Sequence, residues 1–146
     1  MRFTALERYA LTLVLGSFID PAAEGFTLAP GEVDLFDGAM IMYRASALPA
    51  RLGMRVVPLL LLLAPLYVQG RFALLGSLPL AERAALLGAM AGSPVFAFRG
   101  MTVLMKLAAS MAMFRVASVR AKTGFDRPRR PAGTLVTLAV RPLEAA

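Results

Sequence analysis

Apolar residues recur at three- and four-residue spacing along most of the chain, and that period predicts helices. Phe3, Leu6, Ala10, Leu13 and Val14 share one side of a first helix over about Thr4 to Phe18. Asp20-Pro21 ends it, and Gly25 and Pro30-Gly31 mark residues 20–31 as a loop. A second helix is predicted from near Pro30, with Val33, Phe36, Met40 and Tyr43 as its stripe. Glu32, Asp34 and Asp37 fall near its start, where the helix dipole favours negative charge.

Leu48-Pro49 separates a third helix, from about Pro49 to Ala64, apolar all round at Leu59 to Leu63. Arg51 and Arg55 share one of its faces, and Pro58 removes an internal hydrogen bond and predicts a kink. Pro65 and Gly70 close this segment, and Leu78-Pro79 opens a fourth helix that ends near Gly92. Ser93-Pro94 reads as a start signal, with serine as N-cap and proline in the first turn. The fifth helix is predicted from about Pro94 to Thr123, with Gly124 as a left-handed C-terminal cap. Leu104, Leu107, Met111 and Phe114 line one of its sides, while Met105, Ala108, Ala112, Val116 and Val119 line others. Such a helix is expected to be buried by neighbours on every side. Single glycines at Gly88, Gly92 and Gly100 are expected to mark close helix packing, and Met101, Met105, Met111 and Met113 to fill an irregular core.

The character changes after Gly124. Arg127-Pro128-Arg129-Arg130-Pro131 is basic and proline-rich, and Thr134 to Val140 has strand propensity without a partner strand. The expected fold is all-α, a compact bundle of four to six helices over residues 1–126, with 127–146 as an extended basic and apolar C-terminal arm. That arm either lies extended or adds to a sheet in another chain.

Composition narrows function. Apolar residues make up 58% of the 146 and charged residues 17%, against about 45–50% and 25% in typical domains. Disorder is excluded by this richness. With no cysteine and no histidine, the chain has no disulfide, thiolate site, histidine-based triad or histidine-ligated haem or zinc. Asp34 and Asp37 are explained by the helix dipole rather than by paired acid catalysis. Glycine-rich phosphate loops are absent, so no catalytic, cofactor or metal residues are assigned.

The longest charge-free runs, Val56 to Gly70 and Ala84 to Phe98, are interrupted by proline and fall short of the ~20 residues of a membrane span. Burial against another protein, or lying on a membrane surface, is expected before insertion. Glu7 in the charged N-terminal region and the lack of a small-x-small site mark residues 1–19 as a mature helix rather than a targeting peptide. A cytoplasmic or peripheral-membrane location follows as the expectation. The net charge of +7 is spread through helices without interleaved aromatics, so nucleic acid is not an expected partner. Arg127, Arg129 and Arg130 read first as a solvated linker and second as a docking segment for a partner protein, ahead of nucleic acid or anionic lipid. Arg115 and Arg120 are expected to meet an interface or a neighbouring carboxylate, or to form a solvated basic edge.

One order of motifs stands out. Leu78-Pro79-Leu80-Ala81-Glu82-Arg83 opens a helix that ends in Ser93-Pro94, followed by Arg99, Leu104, Lys106 and Leu107. Met113-Phe114, Val119 and Gly124-Phe125-Asp126-Arg127-Pro128 complete it. This resembles the small helical subunit, gluconate 2-dehydrogenase subunit 3-like, that accompanies FAD-dependent oxidoreductases of the GMC (glucose–methanol–choline) family. The similarity covers residues 72–128, and residues 1–71 in helix order and in Pro65…Gly70-Arg71-Phe72. Where the family often has Asp-Pro after the aromatic pair this chain has Val116-Ala117, and Arg127 stands where the family has glycine.

The resemblance implies a non-catalytic accessory subunit that is not an enzyme by itself. FAD would belong to a large partner subunit of the alcohol or sugar dehydrogenase or oxidase class. The small subunit would stabilise that partner and its membrane or electron-acceptor contact. The residues expected to meet the partner are Arg115, Arg120, Phe125, Asp126, Arg127, Arg129, Arg130, Leu135 and Leu138. The alternative is a small membrane-embedded or membrane-surface protein.

Overall fold

The first helix, α1 (Ala5–Gly16), begins at a reciprocal cap: the Thr4 hydroxyl accepts from the Glu7 amide, and the Glu7 carboxylate accepts from the Thr4 amide at 2.7 Å. The computed structural model describes residues 2–19 and 31–124. These contain α2 (Leu35–Ala45), α3 (Leu48–Leu62), α4 (Ala64–Gln69), α5 (Leu80–Ala91), α6 (Phe96–Phe114) and α7 (Ala117–Thr123). A single 3-10 turn spans Leu75–Ser77, and there is no strand among the described residues. The architecture is all-α, as the periodicity predicts; the arm over 127–146 lies outside the described residues.

Local chemistry moves several boundaries. The second helix begins at Leu35 rather than near Pro30, because Asp34 is its N-cap and accepts from the Asp37 amide at 2.8 Å. The fifth predicted helix is two helices. Val116 is extended, and the Arg120 guanidinium donates to the carbonyls of Phe114 and Arg115 at 3.1 and 2.8 Å. Those carbonyls are thus satisfied by a side chain instead of by further helix. Ser93-Pro94 lies just ahead of the helix start: the Ser93 hydroxyl accepts from the Val95 amide at 3.1 Å, and α6 begins at Phe96. Gly70 and Gly124 end α4 and α7 at φ 65° and 69°, the left-handed caps expected of glycine. α3 runs through Pro58, whose ring is buried.

α1 packs mainly on α3, and α6 packs on α2 and α5. Leu11, Leu15, Leu61, Leu75, Leu87, Met90 and Met105 are fully buried between them. At one edge Phe3 meets Phe36 and Tyr43 edge-on, with Arg8 and Arg55 over the rings of Phe36 and Phe3. The closest helix approach is at Gly38 of α2, where an added Cβ would lie 2.5 Å from Ala112 Cβ and 2.8 Å from its Cα. Gly88 and Gly100 face open space instead, so they do not mark close packing, and Gly92 is the C-cap of α5. Leu6, assigned to the apolar side of α1, is exposed; the buried stripe there is Ala10, Leu11, Val14 and Leu15.

Candidate docking surface

Helix α3 has one buried side, at Met54, Pro58, Leu61 and Leu62, and an opposite side that is apolar and exposed. That outer stripe is Leu48, Leu52, Val56, Leu60 and Leu63, one residue per turn. Helix α6 repeats the arrangement. Thr102, Met105, Ala108, Ala109 and Ala112 are buried, whereas Phe96, Val103, Leu107, Met111 and Phe114 point outward. The expectation that this helix is covered on every side is corrected: neighbours cover only one side of it. Met105 fills the core, but Met111 lies on the exposed side.

The two stripes border one seam. A Cβ on Gly53 of α3 would lie 3.5 Å from the Leu104 side chain of α6, and Tyr67 of α4 sits against Phe98 with ring centroids 5.4 Å apart. At this end the chain turns after Gly70, and Phe72 projects with 98% of its surface exposed. Leu63, Leu66, Phe72, Ala73 and Leu74 line a hollow of about 310 Å³ there. Taking about 200 Å² for a large apolar side chain, the joined face leaves on the order of 1,000 Å² of apolar surface in water. Monomers rarely expose more than a few hundred Å² in one patch.

α6 is 19 residues long and, by length and composition, apolar enough to cross a membrane, with 28% of its most apolar window buried. Arg99 and Lys106 interrupt its sequence, so it holds no long charge-free run. Lys106 lies beside Leu80, Ala84 and Leu87 of α5, and Arg99 lies over the Phe96 ring.

Charge is partitioned with the same sharpness. No Asp or Glu occurs between Asp37 and Glu82, nor between Glu82 and Asp126, so the charged residues of α3, α6 and α7 are all cations and α4 has none. The described carboxylates are held inside the chain. Glu7 accepts from Arg55 at 2.7 and 2.9 Å. Glu32 pairs with Lys122 and accepts from the Ser118 hydroxyl at 2.6 Å, and Glu82 meets Arg71 at 3.1 Å. The Arg55 guanidinium and then the Thr4 amide hold the Glu7 carboxyl at about 2, against an ordinary 4.5. Burial pushes the Tyr67 phenol up.

Of the residues expected to meet a partner, Arg115 pairs with Asp37 at 2.8 Å with both side chains half exposed, and Arg120 closes the end of α6. Phe125, Asp126, Arg127, Arg129, Arg130, Leu135 and Leu138 lie outside the described residues. Comparison with known protein families, curated proteins and solved structures found no match.

A second concavity, of about 440 Å³, runs between the end of α1 and α5, lined by Phe18, Leu80, Ala84, Leu87 and Gly88 with Lys106 at its edge. Among the described residues no carboxylate lines it. Among the described residues no group of three or more His, Cys, Asp or Glu side chains could hold a metal ion. The arrangement therefore offers large apolar contact and positive charge. Sequence periodicity marks α3 and α6 as strongly apolar but cannot say which of a helix's apolar sides a neighbour covers.

Proposed function

We propose that this chain is a non-catalytic accessory subunit of a GMC-type FAD-dependent oxidoreductase, with FAD and catalysis in the large partner subunit. The observation that carries this reading is the motif order from Leu78 to Pro128. Two parts of it serve the scaffold. Leu78 is buried and its carbonyl accepts from the Arg83 guanidinium at 2.9 Å, while Gly124 ends α7 in the left-handed conformation. A motif that builds helices, in a chain without histidine or cysteine, suits a subunit that supports another's chemistry. Residues 115–138 supply the contact with the large subunit, and α7 sets where that contact begins.

The test is gentle recovery of the tagged chain from its native host, followed by mass and absorption spectra of what accompanies it. A partner of about 55–65 kDa is expected, since a flavin domain plus a substrate domain needs several hundred residues. Flavin absorption bands should come with it. Recovery without any flavoprotein refutes the proposal.

A further inference from the structure

We propose that the outer face of α3, α4 and α6 rests on an anionic membrane surface, an inference that goes beyond the flavoprotein reading and does not depend on it. Three observations on this face select lipid over a protein partner.

The first is the lack of hydrogen-bonding groups. Along α3 from Leu48 to Leu63 no exposed side chain is polar, and along α6 from Phe96 to Met111 the exposed polar side chains are the two cations Arg99 and Lys106. Protein interfaces carry about one hydrogen bond per 100–200 Å², so a protein covering this area would find almost nothing to pair with. Hydrocarbon asks for no such partner, and an apolar helix face laid into the headgroup boundary is satisfied by area alone.

The second is the sign of the charge at the rim. Arg99 and Lys106 border the face together with Arg71, which is ion-paired with Glu82 of α5 at 3.1 Å, and α3, α4 and α6 themselves contribute no carboxylate that an anionic leaflet would repel. Long cationic side chains can keep their heads at the phosphate level while their stems follow the apolar surface. Arg99 already lies over the Phe96 ring, 6.0 Å from its centroid.

The third is Phe72. It stands clear of the bundle beside Arg71, the arrangement of an aromatic wedge with an adjacent cation at a lipid interface. A side chain exposed to this degree contributes nothing to the packed core.

The experiment is flotation of the full chain, alone or with whatever subunit copurifies, on vesicles of phosphatidylcholine or of equal parts phosphatidylcholine and phosphatidylglycerol. The native chain is expected to float with the anionic vesicles at low salt and to be released as salt screens the rim. Phe72→Asp and Leu107→Asp should each weaken binding about tenfold or more, the effect of losing one buried large apolar side chain. Leu6→Asp, at an exposed leucine of α1 that belongs to neither stripe, should bind as the native chain does, and circular dichroism should show the helices retained in all three. Lys106→Glu should reduce the preference for anionic over neutral vesicles while leaving the helices intact. No flotation with either vesicle, or unchanged binding by both Phe72→Asp and Leu107→Asp, overturns the proposal and returns the face to a protein partner. Flavin recovery plays no part in this readout, so the two proposals fail separately.

Discussion

Replacing Glu7 by glutamine tests whether one carboxylate holds α1 to α3. Its oxygens accept from the Thr4 amide at 2.7 Å and from two nitrogens of Arg55 at 2.7 and 2.9 Å. The Arg55 guanidinium and the Thr4 amide keep the Glu7 carboxyl at about 2, below its ordinary 4.5, while burial opposes them. A carboxyl depressed by folding stabilises the fold fully above the unfolded value, and that contribution is lost as pH falls through the folded value. The fall from 4.5 to about 2 sets a ceiling of about 3 kcal/mol. The pair sits at the protein edge, with 19% and 13% of the two side chains exposed, and solvent screening lowers the expected contribution to about 2 kcal/mol.

Urea unfolding at pH 7 should therefore show Glu7→Gln less stable by about 2 kcal/mol, a midpoint lower by about 1 M. Between pH 5 and pH 2 the native chain should lose stability more steeply than the variant. In a double-mutant cycle, Glu7→Gln with Arg55→Met should cost less than the two single changes added together. Parallel pH profiles for native and variant chains would refute the assignment.

Gly38→Ala should destabilise by about 1–2 kcal/mol in thermal or urea melts, because the new methyl meets Ala112 backbone and overpacking outweighs the gain in helix propensity. Gly100→Ala, which meets nothing within 4 Å, should instead stabilise by about 0.5–1 kcal/mol. Lys122→Met should raise amide exchange in α7 selectively, since Lys122 and Glu32 join that helix to the segment before α2. If the proposed flavoprotein complex forms, deleting residues 127–146 should lower its yield while the helical circular dichroism of the remainder persists.

The helices were readable from the chain wherever a cap and a period agreed. Asp34, Gly70 and Gly124 act as their residue types imply, and the stripe of Phe36, Met40 and Tyr43 faces inward or is partly covered. The division between α6 and α7 was not readable, because the reach of Arg120 back to two carbonyls leaves no trace in hydrophobic period. Nor was Gly38. An isolated glycine inside a helix looks alike whether it meets another backbone, as Gly38 does, or open space, as Gly88 does. The docking face lay between these cases. The apolar residues of α3 and α6 were evident, but which of them are exposed depends on where α1, α2 and α5 pack.

Helix α7 has seven residues, too few to persist alone in water. Its attachments run from Arg115 to Asp37, from Ser118 to Glu32 and from Lys122 to Glu32, spanning 78, 86 and 90 positions. The position of α7 is therefore set in part by residues in the first third of the chain, and its closure carries the entropy of long loops. Closure over such separations predicts that α7 is less protected from amide exchange than the helices it packs against.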